Sequence, residues 1–190
     1  LESTAPAGEF HYNPLYHGND LVMLAGGSGV TPMMSMIREF INRGSDKKIH
    51  LIYICRTPED VICREELESF TGQSDLFTFT MVISRPKDDY CGVTGHITAE
   101  LLTSLLHNIT EKTYYLCGPT GMCNAAKSDL LNLGVRRGKI RQENFGESSD
   151  VTRMDDWPAE ARKGDTVTVS VVGGAVFEAP VGEPLLNSLD

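Results

Sequence analysis

The sequence predicts an α/β fold: a five-stranded parallel sheet with helices on both faces, followed by a small C-terminal β-hairpin. Three observations lead there. Short β-branched and aromatic runs alternate with helix-patterned stretches of about ten residues, the order that right-handed crossovers turn into a parallel sheet. The first and fourth of these runs each pass into a helix through a glycine-containing turn, AGGSGVTP and CGPTG. Beyond residue 147 the pattern changes to an acidic polar stretch and then to period-2 alternation.

Leu21–Ala25 is a short apolar strand, and Pro32–Asn42 carries Met33, Met36, Ile37, Phe40 and Ile41 at helical spacing, closed by Arg43-Gly44. The stretch IHLIYIC (Ile49–Cys55) is a buried strand, and Pro58–Phe70 fits a helix with Leu67 and Phe70 inward. FTFTMVIS (Phe77–Ser84) is the third strand, and the loop RPKDDYCGVTG leads to a helix from Thr98 through Leu106. TYYLC (Thr113–Cys117) is the fourth strand, Gly121–Leu133 the fourth helix, and KIRQENF (Lys139–Phe145) the fifth strand.

Composition narrows the setting. A chain of 190 residues holds one ordinary domain and a small addition. Seventeen basic against 26 acidic residues leave a net charge of −9, which argues against a nucleic-acid or acidic-membrane surface. No apolar stretch approaches the length of a membrane span. The opening LESTAPAGEF lacks the features of a signal peptide and reads as a start within a longer chain. Five cysteines at irregular gaps (Cys55, Cys63, Cys91, Cys117, Cys123) form neither a disulfide framework nor a CxxC zinc site, and fit a reduced, cytoplasmic setting. The five histidines are scattered, and no metal site is expected.

The first glycine turn runs from Gly26 to Pro32. Ligands of open parallel sheets bind beyond the carboxyl ends of the strands. Gly26, Gly27 and Gly29 permit sharp turning and close approach, and Pro32 suits the first helical turn. The free N–H groups of the helix start favour an anion such as a pyrophosphate, with Ser28 and Thr31 adding hydroxyls. Gly27, Ser28, Gly29 and Thr31 are expected to cradle it. A valine at position 29 is expected to collide with the ligand while the domain stays folded. The pattern is GxGxxP rather than GxGxxG, and a tight turn without a ligand is the plain alternative.

The segments AGGSGVTPMMSMIR, CRTPEDVICREEL and LCGPTGM, in this order and spacing, resemble the ferredoxin–NADP reductase superfamily, most closely reductases of the cytochrome-b5-reductase and phthalate-dioxygenase-reductase type. The resemblance implies NAD(P)H as ligand, its pyrophosphate on the Gly26–Pro32 turn. It implies that Cys117, Gly118, Pro119 and Met122 lie beside the nicotinamide, with Cys117 near the hydride-donating carbon in a positioning role. Core packing is the alternative for Met122, and a small buried thiol for Cys117. Arg56, Asp60, Ser84 and Arg85 fall where the adenosine ribose or a 2′-phosphate sits, and each of the charged ones is otherwise a solvated loop residue. Negative charge from Glu59 and Asp60 is expected to disfavour a 2′-phosphate and to favour NADH, whereas Arg56 and Arg85 argue the other way. Glu143 and Phe145 resemble the closing E-x-F strand near the nicotinamide–flavin junction.

SxPAGEF (residues 3–10) resembles the last stretch of the family's flavin-binding barrel, so residues 1–15 are expected to finish that barrel and its linker, and 16–147 to form the NAD(P)-binding domain. The flavin-binding RxYS-type motif does not appear, so FAD is expected elsewhere in a longer parent. Residues 148–163 read as a linker. In 164–190, Val167, Val169 and Val171 alternate with polar residues, Gly173-Gly174 makes a hairpin turn, and Glu183–Leu189 opens a helix. This stretch resembles the start of a plant-type [2Fe–2S] ferredoxin, short of its cysteine ligands. A stray hairpin is the alternative, and loose packing is expected after about Gly164.

The implied function is hydride transfer from NAD(P)H to FAD, with single electrons passing to a [2Fe–2S] cluster and a redox partner protein such as an oxygenase. Two rivals are a regulatory subunit that only binds nucleotide and a thiol enzyme using Cys117 or Cys123.

Overall fold

A computed structural model describes residues 8–144 and 157–183. The chain divides into two compact units between positions 145 and 146, and each is described by itself.

The first unit contains β1 (Asp20–Gly26), α1 (Val30–Asn42), β2 (Lys48–Cys55), α2 (Arg64–Gln73), β3 (Phe77–Ile83), β4 (Val93–Thr94), α3 (Ala99–Leu105), β5 (Thr113–Gly118), α4 (Thr120–Asn132) and β6 (Ile140–Asn144). The sheet is parallel, in the order β4-β3-β2-β1-β5-β6. It therefore has six strands and not the expected five. The added β4 is two residues long, pairing Val93 and Thr94 with Val82 and Ile83 at the sheet edge. Two residues carry no readable alternation.

Strands at the centre read as continuous apolar runs because both faces are covered. From Leu21 to Gly26 every residue of β1 is buried, as is all of β5. One face, with Leu21, Met23, Leu51, Tyr53 and Tyr115, packs against α1 through Met33, Met34 and Ile37 and against α2 through Leu67 and Phe70. The other, with Val22, Leu24, Ile52, Tyr114 and Leu116, packs against α3 through Leu102 and α4 through Cys123, Ala126 and Leu130.

The helix expected over Pro58–Phe70 is split. Thr57 and Asp60 cap one another around a 3₁₀ turn at Pro58–Asp60, and Cys63 at φ +56° separates that turn from α2. A closed capping box completes one turn locally, so the chain must restart before it is helical again.

The segment before β1 is tied to the sheet by an aromatic and imidazole cluster. Phe10 meets Tyr115 edge-on at 5.6 Å, and Tyr12 meets Phe40 at 5.1 Å. The buried His17 ring lies among polar partners: the Asn13 amide 3.1 Å from Nδ1, the Tyr115 hydroxyl 2.5 Å from Nδ1, and Arg141 Nε 3.0 Å from Nε2. Burial first, then the positive charges of Arg141 and His11, hold its pKa below 6.5. Unfolded His17 takes up a proton near pH 6.5, whereas the folded ring resists it, so the unfolded chain binds more protons as pH falls and stability declines below about pH 6.5. Urea denaturation at pH 7.5 and 5.5 is expected to show that loss, and His17→Gln to reduce it. His50, lowered by burial and by Lys112, supplies part of what remains. An unchanged loss in His17→Gln contradicts the assignment.

The second unit holds the antiparallel hairpin β7 (Thr166–Ser170) and β8 (Val176–Pro180). Its turn runs through Val171–Gly174, with the Val171 amide bonded to Ala175 O. Val167, Val171, Val172 and Val176 are exposed, and Ala179 is buried. The helix expected over Glu183–Leu189, except Glu183 itself, most of the 148–163 linker and Phe145 lie outside the described residues.

Candidate functional site

Strand β1 has β2 on one side and β5 on the other, and the chain order reverses between β1 and β5. The crevice beyond the carboxyl ends at such a point is where open α/β sheets take ligands. Both glycine turns end there, because Ala25 pairs in register with Cys117.

The two turns interlock through atoms that glycine lacks. A Cβ on Gly118, at φ +149°, would lie 2.9 Å from the Cα and carbonyl oxygen of Gly26, and one on Gly26 would lie 2.6 Å from Met122 Sδ and 2.9 Å from Pro119 Cδ. One on Gly29 would lie 2.2 Å from the Cys117 carbonyl oxygen. Gly29 is buried, and the expectation that a valine there would strike a ligand while the domain stays folded is corrected: a side chain at that position strikes the domain's own backbone. Gly27 is the opposite case. Its φ is +52° and a Cβ there would meet nothing within 4 Å. Gly27 is thus the glycine of this turn that faces open cleft.

A cleft of about 470 Å³ runs along these strand ends, lined by Gly26, Gly27 and Ser28 of the first turn and Gly118, Pro119 and Met122 of the second. Arg56, Asp60, Ser84 and His96 line its other end, beyond β2, β3 and β4. Tyr53 positions the first turn: its hydroxyl donates to Gly27 O (2.8 Å) and accepts from the Ile62 amide (3.3 Å). The start of α1 has no side-chain cap and no acidic residue in its first turn, and Thr31 Oγ1 donates to Ser28 O (2.9 Å). The Val30 amide is spent on Gly27 O, so α1 continues the Gly27–Gly29 turn, and the positive end of the dipole of this 13-residue helix lies behind that turn. Pro32, third in the helix, gives up no bond there.

Not every expected residue reaches the cleft. Cys117 is fully buried, and burial, then the negative charge of Glu143, then Cys123 push its thiol up to about 12. A closed, neutral thiol is no nucleophile, and Cys123 is likewise buried and pushed up to about 11. Met122 lines the cleft and also covers Gly26. Glu143 is exposed, pairs in register with Cys117, and lines a second, larger cavity of about 770 Å³ between the 9–17 segment and β6. That cavity shares no lining residue with the cleft.

The acids expected to repel a 2′-phosphate are both engaged. Asp60 Oδ2 accepts from the Thr57 amide (3.0 Å) and hydroxyl (3.1 Å). Glu59 pairs with Lys87 Nζ at 3.0 Å. The Ser84 hydroxyl donates to Cys55 O at 3.2 Å, and the Arg85 amide donates to Arg56 O at 2.9 Å, which joins the ends of β2 and β3. Tyr53, His96 and Lys87 were not singled out from the sequence. Tyr53 reads as a core aromatic, and no local motif marks the other two.

Among the described residues, no group of three or more His, Cys, Asp or Glu side chains is placed to hold a metal ion, and no helix is long and apolar enough to cross a membrane.

Residues 23–128 match the family model of the oxidoreductase NAD-binding domain. The glycine betaine monooxygenase reductase subunit of Chromohalobacter salexigens is 29% identical over 153 residues, covering 79% of this chain and 41% of that protein. NADH-cytochrome b5 reductase 1 of Candida glabrata is 33% identical over 143 residues, covering 73% of this chain and 50% of that protein. This chain thus spans at most half the length of these two relatives. Among solved structures, the flavohem-like FAD/NAD-binding domain of nitric oxide dioxygenase from Vibrio cholerae superposes with a TM-score of 0.66 at 25% identity, covering 75% of this chain and 57% of that one.

Proposed function

This chain belongs to the oxidoreductase NAD-binding domain family, within the ferredoxin–NADP reductase superfamily, and from that premise we propose that it is the nucleotide-binding part of a flavoprotein reductase. The observation that carries the reading is the pair of interlocked glycine turns at the β1–β5 switch point, with Gly27 facing open cleft and the start of α1 uncapped. Gly27 and Ser28 hold the pyrophosphate with the positive end of the α1 dipole behind them, and Thr31 stiffens the turn. Gly118, Pro119 and Met122 take the nicotinamide end, and Arg56 and Ser84 take the adenosine end. Cys117 acts as a positioning residue through its backbone, since its carbonyl is the surface on which Gly29 rests.

When bound, the nicotinamide supplies a hydride to FAD, which splits the electron pair into single electrons for a [2Fe–2S] centre and a redox partner. The chain's own part is to fix the nucleotide's orientation and exclude side chains from its path. The FAD-binding barrel, whose end the PAGEF stretch resembles, belongs to the longer protein, with the NAD(P)-binding domain over 16–147 and a linker over 148–163. Glu143 and Phe145 border the flavin in this reading. The hairpin opens the ferredoxin-like module, and its exposed valines are the face that module completes. NADH is the nucleotide, supported by the relatives whose names carry it. The partner is an oxygenase-type protein, supported by the monooxygenase reductase subunits. Five free cysteines support a cytoplasmic setting.

The test uses the 190-residue chain. It is expected to bind NADH, to lack visible absorbance, and to reduce no ferricyanide with NADH, because hydride transfer needs donor and acceptor about 3–3.5 Å apart. Turnover without added flavin contradicts the division of labour, and failure to bind NADH contradicts the reading itself.

A further inference from the structure

Two donors hold the Gly27 carbonyl oxygen from inside the domain. Tyr53 is fully buried in β2, and its hydroxyl donates to Gly27 O at 2.8 Å. The Val30 amide donates to the same oxygen. A carbonyl oxygen has two lone pairs, so its capacity is filled. The Gly27–Ser28 peptide is trans, and in a trans peptide the C=O and the N–H point in opposite directions. With Gly27 O turned inward to Tyr53, the Ser28 N–H points outward. Ser28 is exposed and lines the cleft. It is second in the three-residue 3₁₀ turn, ahead of the first intrahelical bond, so that turn offers its N–H no acceptor.

Gly27 cannot fix this orientation by itself. Without a Cβ it takes either sign of φ at little cost, so the Gly27–Ser28 peptide is free to turn over. A turned peptide would aim a carbonyl at an anion in the cleft instead of an amide. The Val30 bond is made within the same turn and moves with it. Tyr53 stands on a strand that is hydrogen-bonded to β1 on one side and β3 on the other. Its hydroxyl is fixed from its far side by the Ile62 amide at 3.3 Å. We propose that Tyr53 is a positioning residue for the nucleotide: its hydroxyl holds the Gly27–Ser28 peptide so that the Ser28 N–H is aimed at a phosphate oxygen. Tyr53 does not line the cleft and acts only through that peptide. The inference rests on the nucleotide reading above.

Calorimetry and amide NMR on the full chain with NADH test it. Tyr53→Phe removes the hydroxyl alone, and NADH affinity is expected to fall about tenfold, the loss of one charge-assisted hydrogen bond. At NADH saturation the Ser28 amide proton of the parent is expected to move downfield, as an N–H bonded to phosphate does. In saturated Tyr53→Phe less than half of that move is expected to remain, while the shifts of Arg56 and Met122 keep their parent size. A merely structural tyrosine would lower the denaturation midpoint and leave the saturated shifts as they are, or alter all of them alike. Circular dichroism confirms that the variant folds. NADH affinity within twofold of the parent, an undiminished Ser28 shift, or a uniform change across the cleft overturns the proposal. If Tyr53→Phe does not fold, the parent decides. A Ser28 amide that moves downfield with NADH, with the Tyr53 hydroxyl proton protected from exchange before and after binding, supports the proposal. A Ser28 amide that stays still, or an unprotected hydroxyl, overturns it. If the parent binds no NADH, the nucleotide reading falls and the proposal with it. If the parent binds NADH and Tyr53→Phe matches it, only the proposal falls.

Discussion

Gly29→Ala is expected to cost the folded domain about 3 kcal/mol, near the upper end for overpacking a tight interior. The added Cβ would stand 2.2 Å from the Cys117 carbonyl oxygen and 2.6 Å from the Gly118 amide nitrogen. Both are backbone atoms of β5, and they have no rotamer by which to retreat. β5 is hydrogen-bonded to β1 and β6, so relief requires moving a central strand. Gly121→Ala is the control, since a Cβ there meets nothing within 4 Å and the position lies within α4. Chemical denaturation of the two variants should separate them by several kcal/mol. Equal stability would mean that the turns are not interlocked as described.

Gly27→Asn is expected to do the reverse. The φ of +52° is one that asparagine tolerates, so the fold should lose little. The new side chain projects into the cleft, where the fold offers it no neighbour within 4 Å. NADH binding is expected to weaken at least tenfold, about 1.4 kcal/mol, with the denaturation midpoint nearly unchanged. Together the two variants divide the glycines of one motif into a structural member and a ligand-facing member.

That division was not legible in the sequence. The motif marks a sharp turn between strand and helix, and its place at a strand's carboxyl end follows from the alternation of apolar runs. Which glycine faces the ligand depends on a carbonyl 88 residues downstream, at Cys117, and on the register that sets Ala25 beside it. The same limit explains the NADH argument drawn from Glu59 and Asp60. Both acids were found by inspection, but their engagement was not. Asp60 is held by a local capping box, and Glu59 by a lysine 28 positions away. The central strands were readable because burial on both faces writes continuous apolar runs. β4 was not, because two residues at a sheet edge obey no pattern. Tyr53 was placed in the core from its strand, whereas its hydroxyl, bonded to Gly27 O and the Ile62 amide, shows that it also shapes the site.

The most direct measurement is the titration of isotopically labelled chain with NADH, followed by backbone amide shifts. The account predicts saturable shifts centred on Gly26–Thr31 and Gly118–Met122, extending to Arg56 and Ser84, with the region around the larger cavity at residues 9–17 and 140–143 nearly still. Shifts confined to that larger cavity, or no saturable binding at all, would contradict the claim that the interlocked glycine turns form the nucleotide site.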